Sequence, residues 1–155
     1  MLSHLRARNR TVEKGVKDIE DYIKGVAKGV ELDERGRCRL QYGQVGVHVV
    51  IVPEHNLVMF KTFTNFLPDP DAGTILPLYY HLLDINDEPA TGLAYFSIVA
   101  AEEMGVDQDV ISVELKRPIT DISEEEFKVC LEAVGEVANK YMSVLEEQFK
   151  APRVP

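Results

Sequence analysis

Residues 118–150 read PITDISEEEFKVCLEAVGEVANKYMSVLEEQFK, a strand exit that runs into one long amphipathic helix. Ser123 stands where an N-cap belongs, and Glu126 follows three residues later, as a capping box requires. Ile122 and Phe127 occupy the two positions of a hydrophobic staple. Cys130, Val134, Val137, Tyr141 and Val144 then recur at helical spacing, and Leu131, Ala138 and Leu145 widen the stripe. A helix with one apolar and one acidic face must bury the apolar one against another layer.

The rest of the chain supplies a sheet. Val12, Val16, Ile19, Ile23, Val26 and Val30 step by four and three, which predicts a first helix from Thr11 to about Leu32. Gly15, Gly25 and Gly29 interrupt it, each at a cost of about 1 kcal/mol relative to Ala. Gly25 and Gly29 share one side, which fits either close approach of another backbone or a tolerated weakness. Arg37–Tyr42 opens the strands. Val45–Val52 and Leu57–Thr64 follow as a hairpin around Pro53-Glu54-His55-Asn56. Pairing Val52 with Leu57 puts Val45, Val47, Val49 and Ile51 on one face with Val58, Phe60, Thr62 and Thr64. The other face carries Gly46, His48, Val50 and Val52 with Leu57, Met59, Lys61 and Phe63. A solvated sheet face alternates to polar residues, and this second face does so only at His48 and Lys61.

After a Pro-, Asp- and Gly-rich loop, Ile75–Ile85 is expected as a short helix with Pro77 in its first turn and Asn86 at its stop. Leu93–Val99 and Val110–Leu115 are strands joined by an acidic connection over residues 101–109. In the second of these, Ile111, Val113 and Leu115 alternate with Ser112 and Glu114, the pattern of a half-buried strand. The expected organisation is a flexible tail at residues 1–9, one domain at 10–150 and a C-terminal tail at 151–155.

The chain has 155 residues and a net charge of −9, with 45% apolar residues. That suits one globular domain and argues against a nucleic-acid phosphate backbone or an anionic membrane as partner. Two distant cysteines, Cys38 and Cys130, have no metal-ligand spacing and favour a reducing, cytoplasmic setting. MLSHLRARNR has no apolar core of a secretory signal, and no apolar run approaches a membrane span.

Little in the chain points to catalysis. His4, His48, His55 and His81 form no local cluster, whereas a zinc site needs three or four convergent ligands. No phosphate loop or nucleophile elbow is present, and Ser97 lies in a strand without flanking glycines. Asp69/Asp71 and Glu102/Glu103 fit solvation better than acid-base work. Tyr79, Tyr80 and Tyr95 read as core or interface aromatics. No catalytic residue, metal site or cofactor is expected.

The pattern resembles the type III secretion chaperone-like fold, and within it the YbjN-like branch. The residues that carry the resemblance are LLDINDE at 82–88, GLAYFSI at 92–98, ISVELKRPI at 111–119 and the capped helix through EVANKYMSVLEEQF. The first helix and the three-strand block match in order, so the resemblance extends over nearly the whole chain after Asn9. It implies an α+β fold of order α-β-β-β-α-β-β-α, with helices packed on one face of a twisted, mainly antiparallel sheet, often paired as a homodimer. It also implies apolar patches that bind extended segments of effector proteins.

The expectation is a non-enzymatic protein-binding module that captures an apolar or extended segment of a partner protein. Val50, Val52, Leu57, Met59 and Phe63 are its expected contact residues, unless that face is taken up by a homodimer. The alternative is a small-ligand-binding regulatory domain with a pocket between sheet and helices, lined by Tyr79, Tyr80 and Phe96. Clustering of His48 and His81 with carboxylates in one deep pocket would favour an enzyme.

Overall fold

The computed structural model describes residues 2–155, with side chains from residue 11 onward except at residue 90. Residue 1, part of the expected tail, lies outside the described residues, as does the side chain of His4. Helix α1 spans Leu2–Val26, so its backbone takes in residues 2–10 as well. Strands β1 (Arg37–Tyr42), β2 (Val45–Val52) and β3 (Leu57–Phe66) follow. Helix α2 (Ile75–Asn86), strand β4 (Tyr95–Val99), the single-turn helix α3 (Ala101–Met104), strand β5 (Val110–Pro118) and helix α4 (Glu124–Phe149) complete the chain. The expected order is thus present, with α3 added inside the acidic connection.

The five strands form one antiparallel sheet in the order β1-β2-β3-β5-β4. Val52 pairs with Leu57, as the turn composition predicts, and this places every other β2–β3 side chain. Val47, Val49, Val58, Phe60 and Thr64 are fully buried on one face. There α4 lies across β2, β3 and β5, and the Phe60 and Phe127 rings meet edge to face at 5.1 Å. Ile19 and Ile23 of α1 and Leu78, Leu82 and Ile85 of α2 join the same core, so the helices share one face of the sheet. Each fully buried side chain of this size contributes about 1.5–3 kcal/mol.

The cap of α4 is the one its sequence predicts. Ser123 Oγ accepts from the Glu126 N–H at 3.1 Å, and both staple residues, Ile122 and Phe127, are buried. At the other end Lys150 takes a left-handed conformation, φ 59°, and returns its N–H to Glu146 and Leu145 carbonyls. The C-terminal residues 151–155 then run back along β3. Phe66 N–H donates to the Pro152 carbonyl at 2.7 Å and Val154 N–H to the Thr64 carbonyl at 3.0 Å. Asn65 sits at a register shift of β3 and donates through Nδ2 to the Ala151 carbonyl at 2.9 Å.

Three boundaries and surfaces differ from the sequence reading. Helix α1 ends at Val26 rather than Leu32, because Gly29 (φ +83°) carries the chain out of the helical turn. Val30 and Leu32 still pack on the core, which is why their spacing looks helical. The close approach lies at Gly15, not at Gly25 or Gly29: a Cβ at 15 would stand 2.7 Å from the Ile119 carbonyl oxygen. Strand β5 is buried on both sides through residue 115, since Ser112 and Glu114 are covered by neighbouring strands.

Candidate functional site

No helix among the described residues packs on the second face of the sheet. Cross-strand pairing gives this open face its layout. One row runs Arg37, Val50, Met59, Lys116 across β1, β2, β3 and β5. The next row toward the hairpin tip is Val52, Leu57, Pro118. The row on the other side is Arg39, His48, Lys61, Glu114, Tyr95.

Val50, Val52, Leu57 and Met59 therefore form one four-residue apolar block, each partly exposed. Phe63, also partly exposed, stands beyond the polar row and does not join the block. It lies against that row instead: the Lys61 Nζ sits 5.5 Å from its ring centre and the His48 ring 5.5 Å from it. Lys61 Nζ bonds Glu114 Oε1 at 2.7 Å, with only 19% and 7% of the two side chains exposed. In that setting one partner without the other would leave a buried charge, so the pair anchors the middle of the face. Burial, and then Arg39, Arg37 and Lys61, lower the His48 pKa and hold the ring neutral.

Arg39 lies flat across Gly46, where any Cβ would collide with its guanidinium. At the hairpin tip the block borders a cleft of about 560 Å³ that also reaches Glu34, Arg35 and Glu54.

Both outer strands of the sheet are partly closed by local side chains. On β1, Arg37 N–H donates to Asp33 Oδ1 at 2.9 Å and the Arg37 carbonyl accepts from Asp33 N–H at 2.7 Å. On β4, Asn86 does the same for Phe96.

A second apolar surface escaped the sequence reading. Leu76, Tyr80 and Leu83, at helical spacing on α2, are 79%, 77% and 70% exposed. The signal was present as an i, i+4, i+7 triplet, but Leu78, Leu82 and Ile85 follow the same period on the buried side. Beside this face a groove of about 370 Å³ is lined by Tyr79, Leu82, Leu83, Asn86, Phe96, Ser97 and Ile98. It brings together Tyr79 and Phe96 of the alternative ligand pocket, while Tyr80 points away to solvent.

The residues weighed for chemistry are dispersed. His48 lies on the open sheet face, whereas His81 belongs to α2 on the helical side and stacks on Phe149 at 4.9 Å. Asp69 accepts from Asp71 N–H in a local turn. Burial pushes the Cys38 thiol up to about 11 and also raises that of Cys130, so both are poor nucleophiles at neutral pH. Among the described residues no group of three His, Cys, Asp or Glu could hold a metal ion, and no helix is long and apolar enough to cross a membrane.

No family model matches the sequence, and no curated protein matches it either. Solved structures do match in fold. The ExsC–ExsE complex aligns with a TM-score of 0.61 at 16% identity, over 86% of this chain and 95% of that one. The Yersinia pestis type III secretion chaperone SycH, in complex with a stable fragment of YscM2, aligns with a TM-score of 0.59 at 16% identity, over 81% and 98%. YbjN from E. coli aligns with a TM-score of 0.60 at 13% identity, over 90% and 96%. The chain has the α+β fold shared by type III secretion chaperones and YbjN.

Proposed function

We propose that the chain is a non-enzymatic protein-binding module that captures an apolar or extended segment of a partner protein on its open sheet face. The observation that carries this reading is the apolar block of Val50, Val52, Leu57 and Met59 on a face that no helix among the described residues covers. A contiguous apolar patch bounded by polar residues marks an interaction surface. Met adapts to varied apolar side chains. Phe63 extends the contact past the Lys61–Glu114 pair. Structures of the same fold are complexes with protein partners, ExsC with ExsE and SycH with a fragment of YscM2, which supports the reading.

We also infer that the chain pairs with a second copy of itself, and that it does so through α2 rather than through the sheet face. The Leu76–Tyr80–Leu83 stripe is far more exposed than any residue of the block. A single helix face can meet its own copy about a two-fold axis. The two surfaces then divide the work that the sheet face alone would have to share.

Site-specific photocrosslinking in native lysate tests both parts. A photoreactive residue in place of Leu57 should crosslink to a different protein, identified by mass spectrometry. The same group in place of Leu76 should crosslink to this chain itself. Self-crosslinks from position 57, or none, would overturn the capture reading.

A further inference from the structure

The five strands carry Arg37, Arg39, Lys61, Lys116 and Arg117, but a single carboxylate, Glu114. The chain as a whole has a net charge of −9. Helix α4 carries the opposite balance, with Glu124, Glu125, Glu126, Glu132, Glu136, Glu146 and Glu147 against Lys128 and Lys140. The strands are therefore net cationic although the chain is net acidic. Arg117 pairs in register with Val58 and so belongs to the helix-covered face. The other four cations belong to the open face.

Two of the four already have partners. Lys61 is bonded to Glu114, and Arg37 to Asp33 at 3.2 Å. Among the described residues no ion pair includes Arg39 or Lys116, and both are exposed. Lys116 on β5 stands beside Met59, and Arg39 on β1 stands one row further from the hairpin tip, beside His48. Three strand spacings and a two-residue offset along the strands separate their Cα atoms by about 16 Å. An extended chain spans about 14 Å in four residues and its side chains cover the rest, and residues i, i+2 and i+4 of such a chain face the same way. Glu34 and Glu54 border the block only at the hairpin tip, so acidic groups of a partner are favoured at Arg39 and Lys116 and disfavoured at Val52.

We propose that the segment captured on the open sheet face is acidic as well as apolar: an extended stretch with carboxylates four residues apart, set on Arg39 and Lys116, and an apolar side chain between them on Val50 and Met59. This rests on the protein-binding reading above and names the chemistry of its partner. Charges placed this way choose among partners and speed their encounter more than they tighten the contact.

The test uses the full chain and two fluorescein-labelled twelve-residue peptides of serine and threonine with a central valine. One carries glutamates two residues to either side of the valine, and the other lysines at the same places. The glutamate peptide is expected to bind about tenfold tighter in fluorescence anisotropy, with an advantage that falls as salt rises. The double variant Arg39→Glu/Lys116→Glu should reverse the order while keeping the wild-type circular dichroism and urea midpoint. Equal binding, tighter binding of the lysine peptide, or no binding of either would overturn the proposal. If the glutamate preference is missing but a partner still crosslinks at position 57, the capture reading stands and only the acidic chemistry fails. If the double variant instead loses self-association in light scattering, a second copy occupies the face and the proposal also falls.

Discussion

The side chain of Asn86 holds both main-chain groups of Phe96: its Oδ1 accepts the Phe96 N–H at 2.7 Å and its Nδ2 donates to the Phe96 carbonyl at 3.1 Å. The amide thus takes the place that a neighbouring strand would fill, on the outer side of β4. An unpaired edge invites another chain to add to the sheet, and this device closes the middle of that edge. Asn86 also ends α2, so one residue ties the exposed helix to the strand beside it.

Asn86→Ala should remove both bonds and leave the partly buried Phe96 groups without partners. The expected loss is about 1–3 kcal/mol in urea unfolding, together with slow concentration-dependent aggregation on storage. Asn86→Asp keeps the acceptor and should fall between the variant and wild type. An unchanged urea midpoint in Asn86→Ala would mean that the edge is held by other contacts.

The two glycines of α1 should respond in opposite directions. Gly15→Ala places a methyl 2.7 Å from both the carbonyl oxygen and the Cγ2 of Ile119, so α1 must move away from the β5–α4 connection. Its expected cost is about 1–3 kcal/mol. Gly25→Ala meets only Glu124 Oε1 at an ordinary 3.6 Å, and the better helix propensity should stabilise by up to about 1 kcal/mol. Thermal unfolding of the two variants side by side decides this, and equal shifts would contradict it.

Leu131 lies on the buried face of α4 at 5% exposure. Leu131→Ala should cost about 2–5 kcal/mol in urea unfolding. A midpoint equal to wild type would place that face outside the core.

His48 ties stability to pH. Its folded pKa lies below the ordinary 6.5 because burial and three neighbouring cations disfavour the charged ring. Below pH 6.5 the unfolded chain therefore binds more protons than the folded one, and stability falls as pH drops through this range. Above it both states are neutral at this residue and it adds no slope. Urea titrations at pH 7.5 and pH 5.5 should show a smaller pH-dependent loss in His48→Gln than in wild type. The same loss in both proteins would remove His48 from this role.

The paired elements were legible because their periods are strong. Val45–Val52 and Leu57–Thr64 alternate with period two around a turn that leaves one plausible register, and the core face of α4 repeats with its cap in sequence. The exposed stripe of α2 was hidden because ILPLYYHLLDI is apolar on both sides, so its period does not say which side is inside. The grouping of the site was only partly legible. Val50, Val52, Leu57 and Met59 are neighbours through the hairpin, but Phe63 is divided from them by Lys61, whose partner Glu114 comes from β5, which no local pattern places beside β3. The helical spacing runs past the end of α1 because Val30 and Leu32 keep it while packing from a loop.

Self-pairing through α2 has its own test. Tyr80→Lys puts a charge in the middle of the exposed stripe and touches nothing in the core. Light scattering should give wild type a mass about twice 17.4 kDa and the variant a mass near 17.4 kDa. A wild-type mass near 17.4 kDa at every concentration would refute the homodimer.

Met59→Lys measures the capture surface most directly. Met59 forms the β3 corner of the apolar block, partly exposed, between Val50 and Lys116 in register. Affinity capture from native lysate, with the bound proteins identified by mass spectrometry, should recover a partner with wild type and lose it with Met59→Lys. The variant should keep the wild-type urea midpoint and its self-association. A variant that folds, self-associates and still recovers the same partner would contradict the account, because the open sheet face would then not be where that partner is held.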